Sequence, residues 1–275
     1  MLSSSFMPAT PLVLVGAGKM GGALLAGWLA GGLDPKAVLV IDPSPSEETL
    51  ALLAKAGVRV ETAPPEGLKA KVLLIAVKPQ IMGSVLPGLR SLIGAGTIVV
   101  SIAAGTSIAN LEAGLGPAAV VRTMPNTPAQ VGRGITAAVP NDRVDDAGRQ
   151  LVTSLLEAVG DVVWVESEGL IDAVTAVSGS GPAYVFLLAE SLAEAGAAAG
   201  LPPETAARLA RATVSGAGEL LRQSDLPPSQ LRKNVTSPGG TTAAALQVLM
   251  SEEGFGPLLT KAVAAAKKRS EELSG

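Results

Sequence analysis

A short apolar run that ends in a glycine turn constrains this chain more than any other feature. Leu12–Val15 is followed at once by glycines at positions 16, 18 and 21, and then by an apolar, helix-compatible segment. In a G-x-G-x-x-G turn the glycines serve the tight turn, the close approach of a pyrophosphate and the packing of helix on strand. Asp42 ends a second apolar run, about twenty residues after the turn, where a ribose-binding acid is expected. The pattern predicts a dinucleotide-binding unit.

Short apolar runs alternate with helix-like segments as far as Glu166. Runs without polar interruption are typical of strands buried on both faces of a sheet. The runs are Leu12–Val15, Val38–Ile41, Val72–Val77, Thr97–Ile102, Ala119–Arg122 and Val162–Val165. We therefore predict an α/β N-terminal domain over residues 11–166, with a doubly wound, Rossmann-type parallel sheet and an amphipathic helix over Asp142–Ala158. Residues 1–10 lack a signal-peptide pattern, and we expect them to be a disordered extension.

The strand pattern stops after Glu166, and the rest of the chain is punctuated by Gly-Pro, Pro-Pro and Pro-Gly-Gly. The predicted helices are Leu170–Ala176, Pro182–Gly200, Pro203–Gln223, Pro228–Asn234, Thr241–Ser251 and Phe255–Leu273. We expect residues 167–275 to form an all-α C-terminal domain for substrate binding and dimerisation. Its most apolar segment, Ala183–Leu201, carries Glu190 and Glu194, which favours a buried helix of a soluble protein over a membrane span.

A second glycine cluster lies near the end of the chain, at Val235–Thr242. Pro238 cannot continue a preceding helix, and Gly239 and Gly240 allow the backbone to approach a ligand closely. Free amides at the start of the next helix favour an anion such as a carboxylate. The alternative is an ordinary helix cap in which a serine or threonine is the N-cap.

Composition excludes several classes of function. The chain contains no histidine and no cysteine, which excludes disulfides, thiolate chemistry, His-based triads and nearly all zinc sites. The formal net charge is -3, and there are only three Phe, two Trp and one Tyr. Such a chain lacks the basic surface and the stacking aromatics of a nucleic-acid-binding protein. We expect a small-molecule substrate, no metal, no nucleic acid and no membrane.

Several separated motifs follow the glycine turn in a fixed order. They are Ala76–Gln80, Arg122–Pro128, Val177–Tyr184 and Val235–Leu249. With this set the chain resembles pyrroline-5-carboxylate reductase over nearly its whole length. The resemblance implies reduction of 1-pyrroline-5-carboxylate to L-proline by a nicotinamide cofactor, the last step of proline biosynthesis. Such hydride transfer requires positioning and a proton on nitrogen, but no metal or protein nucleophile.

The resemblance also implies roles for individual residues. Those implied to line the cofactor are Gly16, Gly18, Lys19, Met20, Asp42, Ser44, Ala76, Val77, Lys78, Pro79, Ala103, Met124, Pro125 and Asn126. Those implied to bind the substrate carboxylate are Ser237, Gly239, Gly240, Thr241 and Thr242. Thr242 is expected to be the catalytic residue, hydrogen-bonded to the ring nitrogen.

Each assignment has a structural alternative. Lys78 is also interpretable as a solvated lysine, and Met124–Thr127 as a turn built by proline and asparagine. The resemblance allows Ser178–Pro182 to contribute to the substrate cleft, but small residues before a helix that begins with proline more often indicate close helix packing.

The residues around Asp42 point to two different cofactors. The carboxylate of Asp42 favours a free 2'-hydroxyl and repels a 2'-phosphate, as in NADH. Ser44 and Ser46 are able to donate to a phosphate, and the resembled family commonly uses NADPH. We predict NADPH, with NADH as the alternative.

Two other functions are compatible with the layout. One is another NAD(P)-dependent imine or 3-hydroxy acid oxidoreductase, and the other is a non-catalytic nucleotide-binding regulatory protein. Hydroxy acid enzymes of this layout generally use a lysine in the second domain, but no lysine lies between Lys78 and Lys233. We expect a cytoplasmic homodimer or larger homo-oligomer.

Overall fold

A computed structural model describes residues 6–274 and contains a mixed sheet of eight strands. The strands are β1 (Leu12–Val15), β2 (Val38–Ile41), β3 (Arg59–Glu61), β4 (Val72–Ile75), β5 (Ile98–Ser101), β6 (Ala119–Met124), β7 (Gly134–Pro140) and β8 (Gly160–Trp164). Their order across the sheet is β3-β2-β1-β4-β5-β6-β7-β8. The order reverses between β1 and β4, as in doubly wound nucleotide-binding folds.

Helices connect the strands and make up the rest of the described chain. They are α1 (Lys19–Ala30), α2 (Glu47–Ala56), α3 (Met82–Leu89), α4 (Ile108–Leu115), α5 (Asp146–Leu156), α6 (Ile171–Val174), α7 (Gly181–Ala198), α8 (Pro203–Gln223), α9 (Pro228–Asn234), α10 (Thr241–Leu249) and α11 (Phe255–Ser274). A π-helical segment, Thr175–Gly179, joins the end of α6 to the start of α7. Ser46, Ser107 and Asp145 cap α2, α4 and α5, because each side chain accepts a hydrogen bond from a backbone amide of the first turn.

The sheet departs from the predicted parallel arrangement at one pair. β6 and β7 are antiparallel, whereas every other pair of neighbouring strands is parallel. The connection from Met124 to Gly134 explains the reversal, because a parallel crossover needs a dozen or more residues. Neither β3 nor β7 was predicted: β3 is short and polar, and β7 contains Gly, Thr and two Ala in place of large apolar residues.

The core lies on both faces of the sheet. On one face Leu12 and Leu14 of β1 pack in a cluster with Trp28 of α1. On the other face Val13 and Val15 pack in a cluster that includes Leu111 of α4. All four residues of β1 are buried, which confirms the inference of a strand covered on both sides. The fold class is therefore the predicted one, a Rossmann-type domain followed by helices.

The chain separates into two compact units. The first ends at Gly179 but also includes Lys267–Gly275, so the boundary lies beyond the expected position at residues 166 and 167. In the first unit Ser270, near the end of α11, donates a hydrogen bond from Oγ to Oδ1 of Asp172, at 2.6 Å. The disorder predicted at the N-terminus is wrong for residues 6–10, because Phe6 is buried and Met7 forms a β-bridge with Thr10. Residues 1–5 lie outside the described residues.

The second unit, Ser180–Ala266, is helical and exposes many apolar side chains in this single chain. No residue of α7 is buried, so the prediction of a buried helix there is wrong for the isolated chain. Its exposed residues include Val185, Phe186, Leu187, Leu188 and Leu192. Among the described residues one helical run, Glu168–Ala198, is long and apolar enough to cross a membrane. Contiguous exposed apolar side chains on one helix also mark protein–protein contacts.

Candidate functional site

The glycine turn between β1 and α1 has the geometry that its spacing predicts. Gly16 has φ +86°, and a Cβ there would lie 2.9 Å from the carbonyl oxygen of Ala76. A Cβ at Gly21 would lie 2.3 Å from the carbonyl oxygen of Gly16, so the turn and the helix are in direct backbone contact. Gly18 has nothing within 4 Å of the Cβ position and is exposed. The turn therefore needs glycine for its own packing at Gly16 and Gly21, and leaves open space at Gly18 for a ligand.

Asp42 holds the glycine turn through its carboxylate. Its Oδ2 accepts a hydrogen bond from the amide of Ala17 at 2.8 Å, and its Oδ1 accepts one from the amide of Ser44 at 2.9 Å. Thr49 of α2 supports the same turn by donating from its hydroxyl to the carbonyl oxygen of Ala17, at 3.0 Å. The acid predicted to bind a ribose is thus already engaged by two backbone amides.

The two serines proposed to bind a phosphate have different surroundings. The hydroxyl of Ser46 accepts a hydrogen bond from the amide of Thr49 at 3.2 Å, as the N-cap of α2. Ser44 is exposed at the start of the same loop. Ser46 is exposed too, and it lines a cavity beside Gly18 and Lys19, so both serines are accessible to a cofactor phosphate.

The predicted cofactor residues gather at the carboxyl edge of the parallel strands. Asp42 follows β2, Ala76 and Val77 follow β4, and Ala103 lies just after β5. Met124 ends β6. Ligands bind at this edge in open α/β sheets. Lys19, Lys78 and Pro79 are exposed, Met20 is half-buried and Ala103 is buried.

The turn after β6 is a structural element in its own right. Pro125 is buried, and Asn126 accepts a hydrogen bond at Oδ1 from the amide of Ile135, at 2.9 Å. This bond fixes the start of β7. Asn126 therefore has the structural role that the turn interpretation predicts, since its side-chain oxygen accepts a hydrogen bond within the protein.

One ion pair in the first unit was missed by the sequence analysis. Arg122 of β6 has 5% of its side chain exposed, and its Nη1 lies 2.7 Å from Oε1 of Glu168. The same oxygen accepts the amide of Ile108 at the start of α4, at 2.8 Å. A charged residue inside an apolar strand run requires a partner. The position of Arg122 in such a run was therefore the feature of the sequence that indicated an ion pair. Nothing local pointed to Glu168, which is 46 residues away.

The glycine cluster of the second unit forms the start of α10. Gly239 has φ +70°, which favours glycine. The N-cap is Gly240, and no side chain caps the helix, so the alternative of a serine or threonine cap is wrong. The Gly240 amide donates to the carbonyl oxygen of Ser237 at 3.0 Å and is not free. The first amides of α10, from Thr241 onward, are the ones that lack partners within a helix.

The side chains of this loop are available to a ligand. Ser237, Gly239 and Thr241 are exposed, whereas Gly240 and Thr242 are half-buried. A Cβ at Gly240 would lie 2.5 Å from the Ser237 hydroxyl oxygen, so glycine is required for this serine to lie against the loop. The loop thus combines hydroxyl groups with the positive end of a helix, a combination that suits a carboxylate.

Two family models match the chain, one in each half. The model described as pyrroline-5-carboxylate reductase dimerisation matches residues 168–273. The model described as NADP oxidoreductase coenzyme F420-dependent matches residues 11–105. The two matches follow the division into a Rossmann-type domain and a helical region.

Similar proteins match over the full length of the chain. A pyrroline-5-carboxylate reductase of Pseudomonas aeruginosa is 40% identical over 97% of this chain and 98% of its own length. The structure of a pyrroline-5-carboxylate reductase from Coxiella burnetii has a TM-score of 0.90 and 38% identity, with 97% of this chain and 99% of that chain covered. A Plasmodium falciparum pyrroline carboxylate reductase with NADP bound has a TM-score of 0.80 and 31% identity, covering 98% of this chain and 100% of that one. The chain therefore belongs to the pyrroline-5-carboxylate reductase family.

Proposed function

We propose that this protein reduces 1-pyrroline-5-carboxylate to L-proline with NAD(P)H, as the last step of proline biosynthesis. The observation that carries the proposal is the similarity to a named reductase across 97% of the chain, which includes both the glycine turn and the α10 loop. In the reaction a hydride passes from the reduced nicotinamide to the carbon of the C=N bond. The nitrogen gains a proton, and the cofactor leaves oxidised.

The first unit supplies the cofactor site in this proposal. The backbone at Gly16, Gly18 and Lys19 binds the pyrophosphate, with Met20 beside it, since the open space at Gly18 allows close approach. The loops after β4, β5 and β6 then line the nicotinamide half. The residues proposed there are Ala76, Val77, Lys78, Pro79, Ala103, Met124, Pro125 and Asn126.

The second unit supplies the substrate site. The first amides of α10 and the hydroxyls of Ser237 and Thr241 bind the carboxylate, because among residues 6–274 no side chain caps this helix start with a hydrogen bond. Thr242 hydrogen-bonds the ring nitrogen and orients the C=N bond for hydride attack. A threonine hydroxyl is a poor acid, so water or an already protonated iminium substrate delivers the proton.

NADPH is the proposed cofactor, with NADH as the alternative. The argument for NADH from Asp42 is weakened, because each of its carboxylate oxygens already accepts a backbone amide. Ser44 is exposed beside it. The related structure from Plasmodium falciparum has NADP bound, which supports the same choice.

A homodimer or larger homo-oligomer is part of the proposal. Phe186 is 69% exposed and Leu187 is 59% exposed on α7 of the single chain, and a second copy covering this face would bury them. The description of the family model over residues 168–273 is dimerisation. We also propose a cytoplasmic location. The formal net charge of -3 argues against nucleic-acid partners, and Glu190 and Glu194 within the apolar sequence of α7 argue against a membrane partner.

The test is steady-state oxidation of NADPH and of NADH by the purified chain with 1-pyrroline-5-carboxylate, with L-proline identified by chromatography. We expect turnover with at least one cofactor and proline formed in equal amount to the cofactor oxidised. A panel of 3-hydroxy acids with NADP⁺ or NAD⁺ tests the rival oxidoreductase. Absence of turnover with both reduced cofactors would support the non-catalytic alternative and overturn the proposal.

A further inference from the structure

Gly179 is a glycine for reasons of space and not of backbone conformation. It ends the π-helical segment Thr175–Gly179, and its φ lies outside the left-handed region that favours glycine. Hydroxyls stabilise this segment: Thr175 donates to the carbonyl oxygen of Ile171 at 2.8 Å, and Ser178 donates to that of Val174 at 3.2 Å. Because the φ of Gly179 is not left-handed, an alanine at position 179 would meet no backbone strain.

The space beside Gly179 is filled by the end of one side chain. A Cβ at this position would lie 2.7 Å from Cε of Met124, and the next nearest atom, Cγ2 of Thr175, is 3.6 Å away. Met124 packs against the buried cluster of Ala137, Val139 and Ile171. Met124 is thus packed against the cluster, and its Cε lies in space that a side chain at residue 179 would occupy.

Met124 lies where such a constraint matters for function. It is the last residue of β6, at the carboxyl edge where the proposed nicotinamide pocket lies. Methionine has three rotatable bonds and fills irregular gaps, so without a constraint its thioether is free to occupy several positions. π-helical turns occur often at functional sites, and this one determines which residue faces Met124.

We propose that Gly179 is a positioning residue that fixes the Met124 thioether beside the nicotinamide. This inference rests on the proposed function. A methyl group at position 179 displaces the flexible end of Met124 and leaves the backbone in place, so it changes the geometry of the site more than the stability of the fold. Hydride transfer is sensitive to displacements of about 1 Å.

The test is a double-mutant cycle with Gly179→Ala and Met124→Ala. We expect Gly179→Ala to lower kcat about tenfold in the presence of Met124 and to have little further effect once Met124 is alanine, since the clash is then absent. Gly169→Ala is the matched control, because Gly169 is exposed and has nothing within 4 Å of its Cβ position. Additive losses in the cycle, or an equal loss in the control, would overturn the proposal.

A second measurement does not depend on turnover. With the six methionines labelled at their ε-methyl carbons, the signal of Met124 is identified by its loss in Met124→Ala. We expect the chemical shift of this signal to change on addition of NADP⁺. Without cofactor, we expect it to differ from that of the unmodified protein in Gly179→Ala but not in Gly169→Ala. An unmoved signal in Gly179→Ala contradicts the positioning role, whereas absent turnover in the unmodified protein contradicts only the proposed function.

Discussion

Arg122 and Glu168 form an ion pair at 2.7 Å between β6 and the segment that precedes α6. Because Glu168 also accepts the amide of Ile108, one carboxylate joins the strand that ends in Met124 to the start of α4. A negative charge at the N-terminus of a helix is itself favourable. The pair therefore connects two of the loops that carry proposed cofactor residues.

Glu168→Gln should lower the free energy of unfolding by about 2 kcal/mol, because it leaves the buried guanidinium of Arg122 without a counter-charge. This magnitude is below the usual cost of breaking a fully buried pair, since the Glu168 side chain is 32% exposed. Glu112→Gln is the control: its partner Arg143 is 54% exposed, and the loss should be under about 1 kcal/mol. Urea denaturation measures both, and equal losses would contradict the distinction.

Gly21→Ala should disrupt the glycine turn, since its Cβ would lie 2.3 Å from the carbonyl oxygen of Gly16. We expect a loss of about 1–3 kcal/mol in unfolding free energy together with weaker NADP⁺ binding. Gly22→Ala, one residue further along α1, places its Cβ no closer than 3.7 Å to its neighbours. It should stabilise the protein by about 0.5–1 kcal/mol. The prediction is wrong if both variants behave alike in thermal melts.

Asp42→Asn should weaken the binding of NADPH and of NADH to a similar extent, about threefold to tenfold. The reason is that one of the two hydrogen bonds from the amides of Ala17 and Ser44 is lost. Ser44→Ala should weaken the binding of NADPH and leave that of NADH unchanged. Fluorescence titration of each reduced cofactor provides the dissociation constants. Tighter NADPH binding by Asp42→Asn would show instead that the carboxylate repels the 2'-phosphate directly.

Thr242→Ala should lower kcat/KM by about tenfold to a hundredfold and leave the dissociation constant of the cofactor unchanged, because its hydroxyl is proposed to contact the substrate nitrogen and not the cofactor. Thr260→Ala is the control in the same unit: Thr260 is exposed on α11 and donates only to the carbonyl oxygen of Gly256. It should leave kcat/KM unchanged. Full activity of Thr242→Ala would refute the orienting role.

Phe186→Glu should shift the protein toward monomer, because it places a charge in the apolar face of α7 that a second copy is proposed to cover. Val131→Glu introduces the same charge at a residue of the first unit that is 74% exposed, and should leave the assembly unchanged. Light scattering after size exclusion measures the mass of each. An unmodified protein that is monomeric at micromolar concentration would contradict the proposed oligomer.

Features set by short-range pattern were predictable from the sequence, and features set by distant partners were not. β1 and β2 match their apolar runs residue by residue, and the glycine turn follows from its spacing. The direction of β7 depends on its pairing with β6, and its small residues gave no apolar signal. Likewise Asp42 was identified as important, but its bond to the amide of Ala17 depends on the three-dimensional arrangement of two loops.

The hydrogen bond from Ser270 to Asp172 spans 98 residues and has a consequence for synthesis. A ribosome releases Asp172 and all eight strands long before Ser270 has been added to the chain. The nascent Rossmann-type domain must therefore persist without this contact while the whole of Ser180–Ala266 is translated. The hydrogen bond itself forms only once Ser270, the later of its two partners to be synthesised, has joined the chain.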